Sequence, residues 1–386
     1  GELYAEKPDV LGMSCYIFNI SPTLLLVDTL KQILPNCIII LGGPEVSFDG
    51  ESTMLRHKSI DYIVSGEGEE TFKELLYAIE GGVSAESVKG IYYRDNGRII
   101  RNDPRPLIKS LDFIPFPYKD GFDDLDNKII YYETSRGCPF KCQYCLSSTI
   151  DGVRFLSMDR IKRELKTFID NGVPQVKLVD RTFNCNPKRA KEIFKIIIQL
   201  GGNTNFHFEM AGDLIDEEML DIISDAPQGL FQFEIGVQST SQNTLHEVNR
   251  KSDLNKVFNA VKRLRSFRNA HIHLDLIAGL PGEDYESFKK SFNDVYELKP
   301  DNLQLGFLKL LKGSGLRLNA EKYGYLYRKY PPYEVLSSDC MGYNDLQNLK
   351  MIEELVQRYY NSHRFDNALQ FLIKYHADSP FRFFEC

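Results

Sequence analysis

The chain has 386 residues, with 47 Lys and Arg against 54 Asp and Glu, and a formal net charge of -7. A content of 42% hydrophobic and 26% charged residues is that of a globular protein with more than one core, which argues against disorder. The acidic balance gives no electrostatic footprint for nucleic acid, so a small-molecule substrate is expected, and no apolar run reaches the length of a membrane span. The start, GELYAEKPDV, lacks the basic end and apolar stretch of a signal peptide, and a cytoplasmic location is the expectation.

In chain order, the first ninety residues alternate strand-like runs with amphipathic segments: VLGMSCY, a helix from Thr23 to Leu34, CIIILGG, a second helix, then DYIVSGEGEE. This is an α/β pattern with parallel strands, each ending in small residues that let a ligand approach the carboxyl ends of a sheet. The acids of GEGEE, residues 66–70, sit well on the dipole of a helix amino terminus, a structural role. GIYYRDNGRIIRND reads as a hairpin around Asn96-Gly97, and the Pro-rich DPRPLIKSLDFIPFPYKD as a linker, because repeated proline cannot sustain a helix. From Lys128 to about Lys309, six strand-like runs (KIIYYETS, QVKLVD, NFHFEM, FQFEIGVQ, HIHLDLIAGLP and NLQLGFLK) alternate with helical segments, the pattern of a partial barrel. One of those helices, Asp159 to Asn171, places Ile161, Leu165, Phe168 and Ile169 on a single face and stops at Gly172. The last stretch is rich in Tyr, Phe and Leu, is predicted helical from Asp345 to Tyr360, and carries no chemical motif. The expected division is 1–88 for the first α/β domain, 89–127 for the hairpin and linker, 128–309 for the barrel, and 310–386 for a helical extension.

Eight cysteines in a chain of this size do not suggest a disulfide framework, and Cys138, Cys142 and Cys145 crowd into one segment, TSRGCPFKCQYCLSS, directly after a predicted strand. That placement puts three thiols on a loop at the carboxyl end of a barrel strand, where barrels carry their chemistry. Spacings of four and three residues let three thiolates wrap one face of an iron–sulfur cubane and leave one iron without a protein ligand. An open iron can bind the amino and carboxylate groups of S-adenosylmethionine (SAM) and reduce its sulfonium. The alternative is a zinc site completed by His207 or Cys185; zinc ligands usually come as two pairs, and no second pair is visible.

The C-x3-C-x2-C spacing with Tyr144 just before the last cysteine closely resembles the signature of the radical SAM superfamily. Further matches resemble the branch that includes oxygen-independent coproporphyrinogen dehydrogenase and cobalamin-associated members. Glu209 in NFHFEM, Gln238 in EIGVQS, Arg250 in HEVNRKS and Asp275 in HLDLIAGLPGE align with SAM-contacting positions of that branch. The residue types suit the ligand: carboxylates and amides for hydroxyls and an amine, and a guanidinium for a carboxylate. Asp180, in KLVDRTFN, resembles an aspartate of the cobalamin-associated proteins and is the candidate catalytic residue.

LGMSCYIFN and IILGGPEVS resemble two ligand-binding segments of cobalamin-binding domains, which makes Ser14, Gly42 and Gly43 the candidate cobalamin positions. The Asp-x-His-x-x-Gly loop of such domains, with its first βα unit, is not in the sequence given. The resemblance therefore implies a flavodoxin/Rossmann-like, B12-binding-type α/β domain, incomplete here, followed by a radical SAM (βα)6 partial TIM barrel and a small, mostly helical region like the uncharacterised extension of some cobalamin-type members. It also implies the cofactors: a [4Fe-4S] cluster, SAM and, where the first domain is competent, cobalamin. The implied chemistry is reductive cleavage of SAM to a 5'-deoxyadenosyl radical acting on a small molecule, with an electron donor such as flavodoxin or ferredoxin as partner. Cobalamin-dependent methyl transfer is the leading outcome, and a cobalamin-independent lyase or rearrangement on a modified nucleoside or similar metabolite is the alternative. Outside enzymes, a metal-stabilised binding module or a plain cobalamin carrier fits part of the pattern.

Overall fold

A computed structural model of the protein describes residues 1–118, 121 and 128–385; the last residues assigned to the linker, 119–120 and 122–127, and residue 386 lie outside the described residues. The chain divides into two compact units. The first comprises Gly1–Lys109 together with two short later stretches, Leu311–Gly313 and Arg328–Tyr333, and the second comprises the remainder.

In the first unit, strands β1 (Val10–Ser14), β2 (Ile38–Gly42) and β3 (Tyr62–Val64) pair in parallel. Strands β4 (Ile91–Asp95) and β5 (Arg98–Arg101) then continue the same sheet in antiparallel sense. The hairpin expected with the linker is thus part of the sheet, since β4 pairs with β3. Its turn has positive φ at both Asn96 and Gly97, the backbone that a two-residue turn needs to match strand twist. The helix Ile20–Ile33 starts three residues before the predicted Thr23. Pro22 does not prevent this, because the first turn of a helix has no use for its N–H groups. Cys15, Val27, Ile39, Leu41 and Ile63 pack into one apolar cluster of this unit.

The two later stretches join the first unit through polar bonds. Lys312 Nζ donates to the Glu45 carbonyl at 2.8 Å and lies 2.9 Å from the Asp49 carboxylate. Tyr333 donates its hydroxyl to Glu45 at 2.6 Å.

The second unit is built on a six-stranded parallel sheet, ordered β13-β12-β11-β10-β9-β6. Its strands are β6 (Ile130–Tyr132), β9 (Gln175–Leu178), β10 (Asn205–Met210), β11 (Phe231–Gln238), β12 (Ala270–Ala278) and β13 (Asn302–Phe307). Burial along β11 alternates strictly, so Phe231, Phe233, Ile235 and Val237 face one way and Gln232, Glu234, Gly236 and Gln238 the other. The apolar side packs on helices. Phe194, in the helix Pro187–Leu200, has ring centroids of Phe208 and Phe231 at 5.1 Å and of Phe183 at 5.3 Å, and is fully buried.

After β13 the chain is mostly helical, with a two-stranded ribbon of β14 (Leu326–Tyr327) and β15 (Val335–Ser337). The predicted helix over Asp345–Tyr360 is an α-helix only across Tyr343–Leu355, and its last turn, Val356–Tyr360, is a π-helix. The wider turn leads to Asn361, whose amide accepts from Leu303 N at 2.9 Å and donates to Leu303 O at 3.0 Å. That pairing occupies the outer edge of β13, a position at which a parallel sheet would otherwise present unpaired backbone. No helix among the described residues is long and apolar enough to cross a membrane.

Replacing Phe194 by Ala should destabilise the second unit by about 3–5 kcal/mol, because a ring at the centre of an aromatic cluster leaves a cavity that the strands cannot close. Chemical denaturation followed by far-UV circular dichroism measures the loss.

Candidate active site

The three cysteines lie on a loop held at both ends. Strand β7 (Ser135–Gly137) pairs antiparallel with β8 (Val153–Phe155), so the loop between them leaves and returns at one place. Gly137 has φ +102°, and any side chain there would collide with the Gly152 carbonyl. Within the loop, Gln143 N donates to Val248 O and Gln143 O accepts from Leu316 N, each at 2.9 Å, and Asn249 Nδ2 donates to Lys141 O at 3.0 Å. Cys138 and Cys142 are buried, Cys145 is half-buried, and all three are free thiols. Cys138 Sγ is 3.4 Å from the Thr182 hydroxyl. Burial pushes the Cys142 thiol up, while the Arg250 guanidinium, 3.9 Å from its sulfur, opposes the shift.

Beside this loop the polar side of the sheet encloses a cavity of about 170 Å³. Glu209, Gln238, Arg250 and Asp275, four residues singled out from the sequence, all line it. Tyr144 is linked to it through Arg250, whose Nη1 donates to the tyrosine oxygen at 3.0 Å. The same guanidinium donates through Nη2 to Gly236 O, and its buried Nε has no partner among the described residues. Asp275 Oδ1 is likewise buried without a partner. The strand β11 is bulged between Gly236 and Gln238, where Gln238 takes φ +72° and folds its amide over Gly236. A Cβ at Gly236 would run into that amide, so glycine is what lets the bulge close.

Charges on this face are strongly coupled. The His207 ring, with Nε2 3.0 Å from the carboxylate, and Lys177 Nζ at 3.0 Å hold Glu234 down at about 2. Burial, reinforced by the negative Glu234 and Glu209, pushes the Asp275 carboxyl up to about 7. Glu209 is raised by burial and by Glu234, against the pull of Lys177 at 3.8 Å. Burial lowers His273 to about 4, and its Nε2 lies 3.1 Å from the Gln232 amide. Lys177, Glu234 and His273 were not singled out from the sequence, and His207 only as a zinc ligand.

Asp180, the expected catalytic residue, is fully buried and is not among the residues that line the cavity. Its carboxylate accepts from Thr134 N at 3.0 Å, from the Thr134 hydroxyl at 2.7 Å and from the Ser135 hydroxyl. It therefore fixes the segment from β6 into β7, three residues before Cys138. Glu283 is a second buried acid that the sequence reading passed over. It accepts from Ser239 Oγ at 2.5 Å and Ser291 Oγ at 3.0 Å, which holds the loop that follows Gln238. Of the two residues named for a zinc alternative, His207 is turned to Glu234, with Nε2 3.0 Å from its carboxylate.

In the first unit, Ser14 and Gly42 are register partners at the carboxyl ends of β1 and β2. Gly43 follows with φ +96°, and a Cβ there would lie 2.7 Å from Cys15 O, so the three positions form one close backbone turn. Burial and the neighbouring Glu45 push the Cys15 thiol up to about 11.

Comparison with known proteins supplies the family. Residues 132–295 match the Radical SAM superfamily, residues 1–76 the B12 binding domain, and residues 321–386 a protein family of unknown function, DUF4080. An uncharacterized methyltransferase of Pyrococcus horikoshii is 30% identical over 307 residues, covering 77% of this chain and 66% of that protein. The cobalamin-dependent radical SAM methyltransferase TokK of Streptomyces tokunonensis is 26% identical over 75% of this chain, which spans only 45% of TokK. Among solved structures, the fold is shared with the cobalamin-dependent SAM radical enzyme OxsB, with a TM-score of 0.71, 17% identity, and coverage of 97% of this chain and 60% of that one. The methyltransferase TsrM from Kitasatospora setae gives a TM-score of 0.70, 16% identity, and coverage of 86% and 70%. This chain belongs to the radical SAM superfamily, with a B12-binding-type domain preceding its radical SAM domain in the sequence.

Proposed function

We propose that this chain is a cobalamin-dependent radical SAM methyltransferase acting on a small molecule. The observation that carries the reading is the meeting of four polar side chains in one cavity beside the cysteine loop, two of them with buried polar atoms lacking a partner. An unpartnered guanidinium N–H and an unpartnered carboxylate oxygen are costly in a protein interior unless a ligand completes them.

The donor set suits a [4Fe-4S] cluster at Cys138, Cys142 and Cys145. Three thiolates on a cubane each take a different iron, so they need not converge on one point as ligands of a single ion must. Such a cluster, when bound, supplies an open iron and the electron that cleaves SAM. Arg250 stands between the cysteine loop and the cavity, placing a positive charge against the Cys142 sulfur and leaving Nε for a carboxylate. Asp275, Glu209 and Gln238 supply acceptors, and the amide a donor, for an ammonium and ribose hydroxyls. Asp180 and Glu283 act as positioning residues. Each is buried and fixes one of the loops that carry the ligands.

For cobalamin, Ser14, Gly42 and Gly43 leave an unobstructed backbone edge at the carboxyl ends of two parallel strands, where such sheets take ligands. Cobalamin, when bound, supplies the methyl carrier. The electron comes from a separate donor such as flavodoxin or ferredoxin.

The test is anaerobic. After reconstitution with iron and sulfide, dithionite and SAM should yield 5'-deoxyadenosine from the native chain and none from Cys142→Ala, and adding hydroxocobalamin should bring S-adenosylhomocysteine. Deoxyadenosine without cobalamin-dependent S-adenosylhomocysteine would move the assignment to a lyase or rearrangement. A native protein that retains zinc in place of iron would overturn the reading.

Gly236→Ala should weaken SAM binding at least tenfold while iron content stays unchanged, because a methyl group displaces Gln238 and leaves the cysteines alone; equilibrium dialysis with SAM measures it.

Asp275 also predicts a pH dependence. Its carboxyl titrates near 7 when folded against 3.8 as the ordinary value, so the folded state binds the proton more tightly. The stability this contributes is complete below about pH 4 and is lost as pH rises through 7. Asp275→Asn should flatten that slope in the ligand-free chain, with native and variant melting temperatures compared from pH 5 to 8.

A further inference from the structure

The cavity beside the cysteine loop is lined by three cations, Arg181, Arg250 and Lys251, and by four acids, Glu209, Asp213, Glu234 and Asp275. Five of these are accounted for. Arg250 is tied to the cysteine loop and to β11, Glu234 has Lys177 and the His207 ring beside it, and the Asp213 carboxylate accepts from Asp253 N at 3.2 Å. Burial holds Asp275 and Glu209 toward their neutral forms. Arg181 and Lys251 are left over. Both are exposed, and among the described residues neither side chain has a hydrogen bond or an ion pair. The Arg181 charge draws the Glu209 carboxyl downward only from beyond salt-bridge range.

The two cations come to the cavity from distant parts of the chain. Arg181 follows the end of β9 by three residues, and Lys251 stands with Ser252 in the loop before the helix Leu254–Phe267. Ser252 also lines the cavity, and its hydroxyl has no partner among the described residues. A lone cation on a protein surface is ordinarily just solvated. On the lining of a SAM cavity it has a cost. SAM carries a sulfonium, an ammonium and one carboxylate, hence a net positive charge, and the unpartnered Nε of Arg250 already answers the carboxylate. Two further cations on the same lining oppose SAM, and that repulsion is offset only when something negative enters with it.

We infer that the substrate carries an anionic oxygen group, a phosphoryl or a carboxylate, bound by Arg181 and Lys251 with the Ser252 hydroxyl as a further donor. The inference rests on the SAM reading of the cavity given above and names the substrate class for it. The pairing suits the chemistry, since a guanidinium presents a planar fork of donors to such oxygens and an ammonium a compact point charge.

The experiment measures SAM binding to the full chain, reconstituted with iron and sulfide, by anaerobic equilibrium dialysis without reductant. Sodium phosphate or sodium acetate replaces chloride at constant ionic strength. In the native chain phosphate, acetate or both should tighten SAM binding about fivefold, and the more effective of the two names the group. In the double variant Arg181→Gln, Lys251→Gln that effect should vanish, while SAM alone binds at least as tightly as to the native chain, because two opposing charges are gone. The melting temperature should not move, since both side chains are exposed. Weaker SAM binding in the variant gives the cations to SAM's own carboxylate and overturns the inference. So does a native chain whose SAM affinity ignores both anions, and so does loss of the anion effect once hydroxocobalamin is added, which assigns the cations to the phosphodiester of that cofactor. A native chain that binds no SAM in any arm overturns the SAM reading itself, and this inference with it.

Discussion

Arg250 is the tie on which the site depends. One guanidinium reaches the Tyr144 hydroxyl and the Cys142 sulfur on the cysteine loop, and the Gly236 carbonyl on β11. These groups come from parts of the chain more than ninety residues apart, and only a planar, permanently charged fork can serve all of them at once. The bulge at Gly236, the positive φ of Gln238 and the absent side chain between them follow from the same demand. The carbonyl must turn toward the cation, and the amide must fold over to make room.

A cation placed this way needs balancing charge, and the sheet provides more than enough. Glu209, Glu234 and Asp275 share one face, and the protein separates them by environment. The neighbouring His207 ring and Lys177 keep Glu234 ionised, which in turn makes ionisation of Asp275 harder. Three carboxyls at close range could not all ionise in a low-dielectric cavity. Pairing Glu234 closely, Glu209 loosely and Asp275 not at all gives a cavity with acceptors of different proton affinity, a useful property where hydroxyls and an ammonium must be told apart.

Much of this was legible in the sequence. The three cysteines, and the four residues Glu209, Gln238, Arg250 and Asp275, carry their signal in local motifs, and the alternating pattern of FQFEIGVQ puts Gln238 on the polar side of its strand with Glu234. Lys177 and His207 have no such motif. Their importance comes from lateral register, with His207 opposite Lys177 and Gln232 across three strands, and register depends on pairings between segments distant in sequence. The polar half of the alternation in AHIHLDLIA was the available signal, since a strand buried by helices on one side has reason to carry histidines only where its other side meets something polar. The surroundings of Asp180 have a related origin: a carboxylate after a strand reads as a group aimed at the barrel mouth, and here Thr134 and Ser135, from the distant segment that leads into β7, close over it. The early helix start at Ile20 and the hairpin's place in the first sheet are likewise tertiary outcomes that local propensity does not fix.

The bonds from Lys312 and Tyr333 to Glu45 close contacts across 267 and 288 residues of chain. During synthesis from the amino terminus, the first unit therefore remains without its last pieces until the whole barrel sheet has been made. Translation order and completion order are thus uncoupled for this domain: the part that emerges first is completed late, and its buried Glu45 waits for Lys312 and Tyr333 until then.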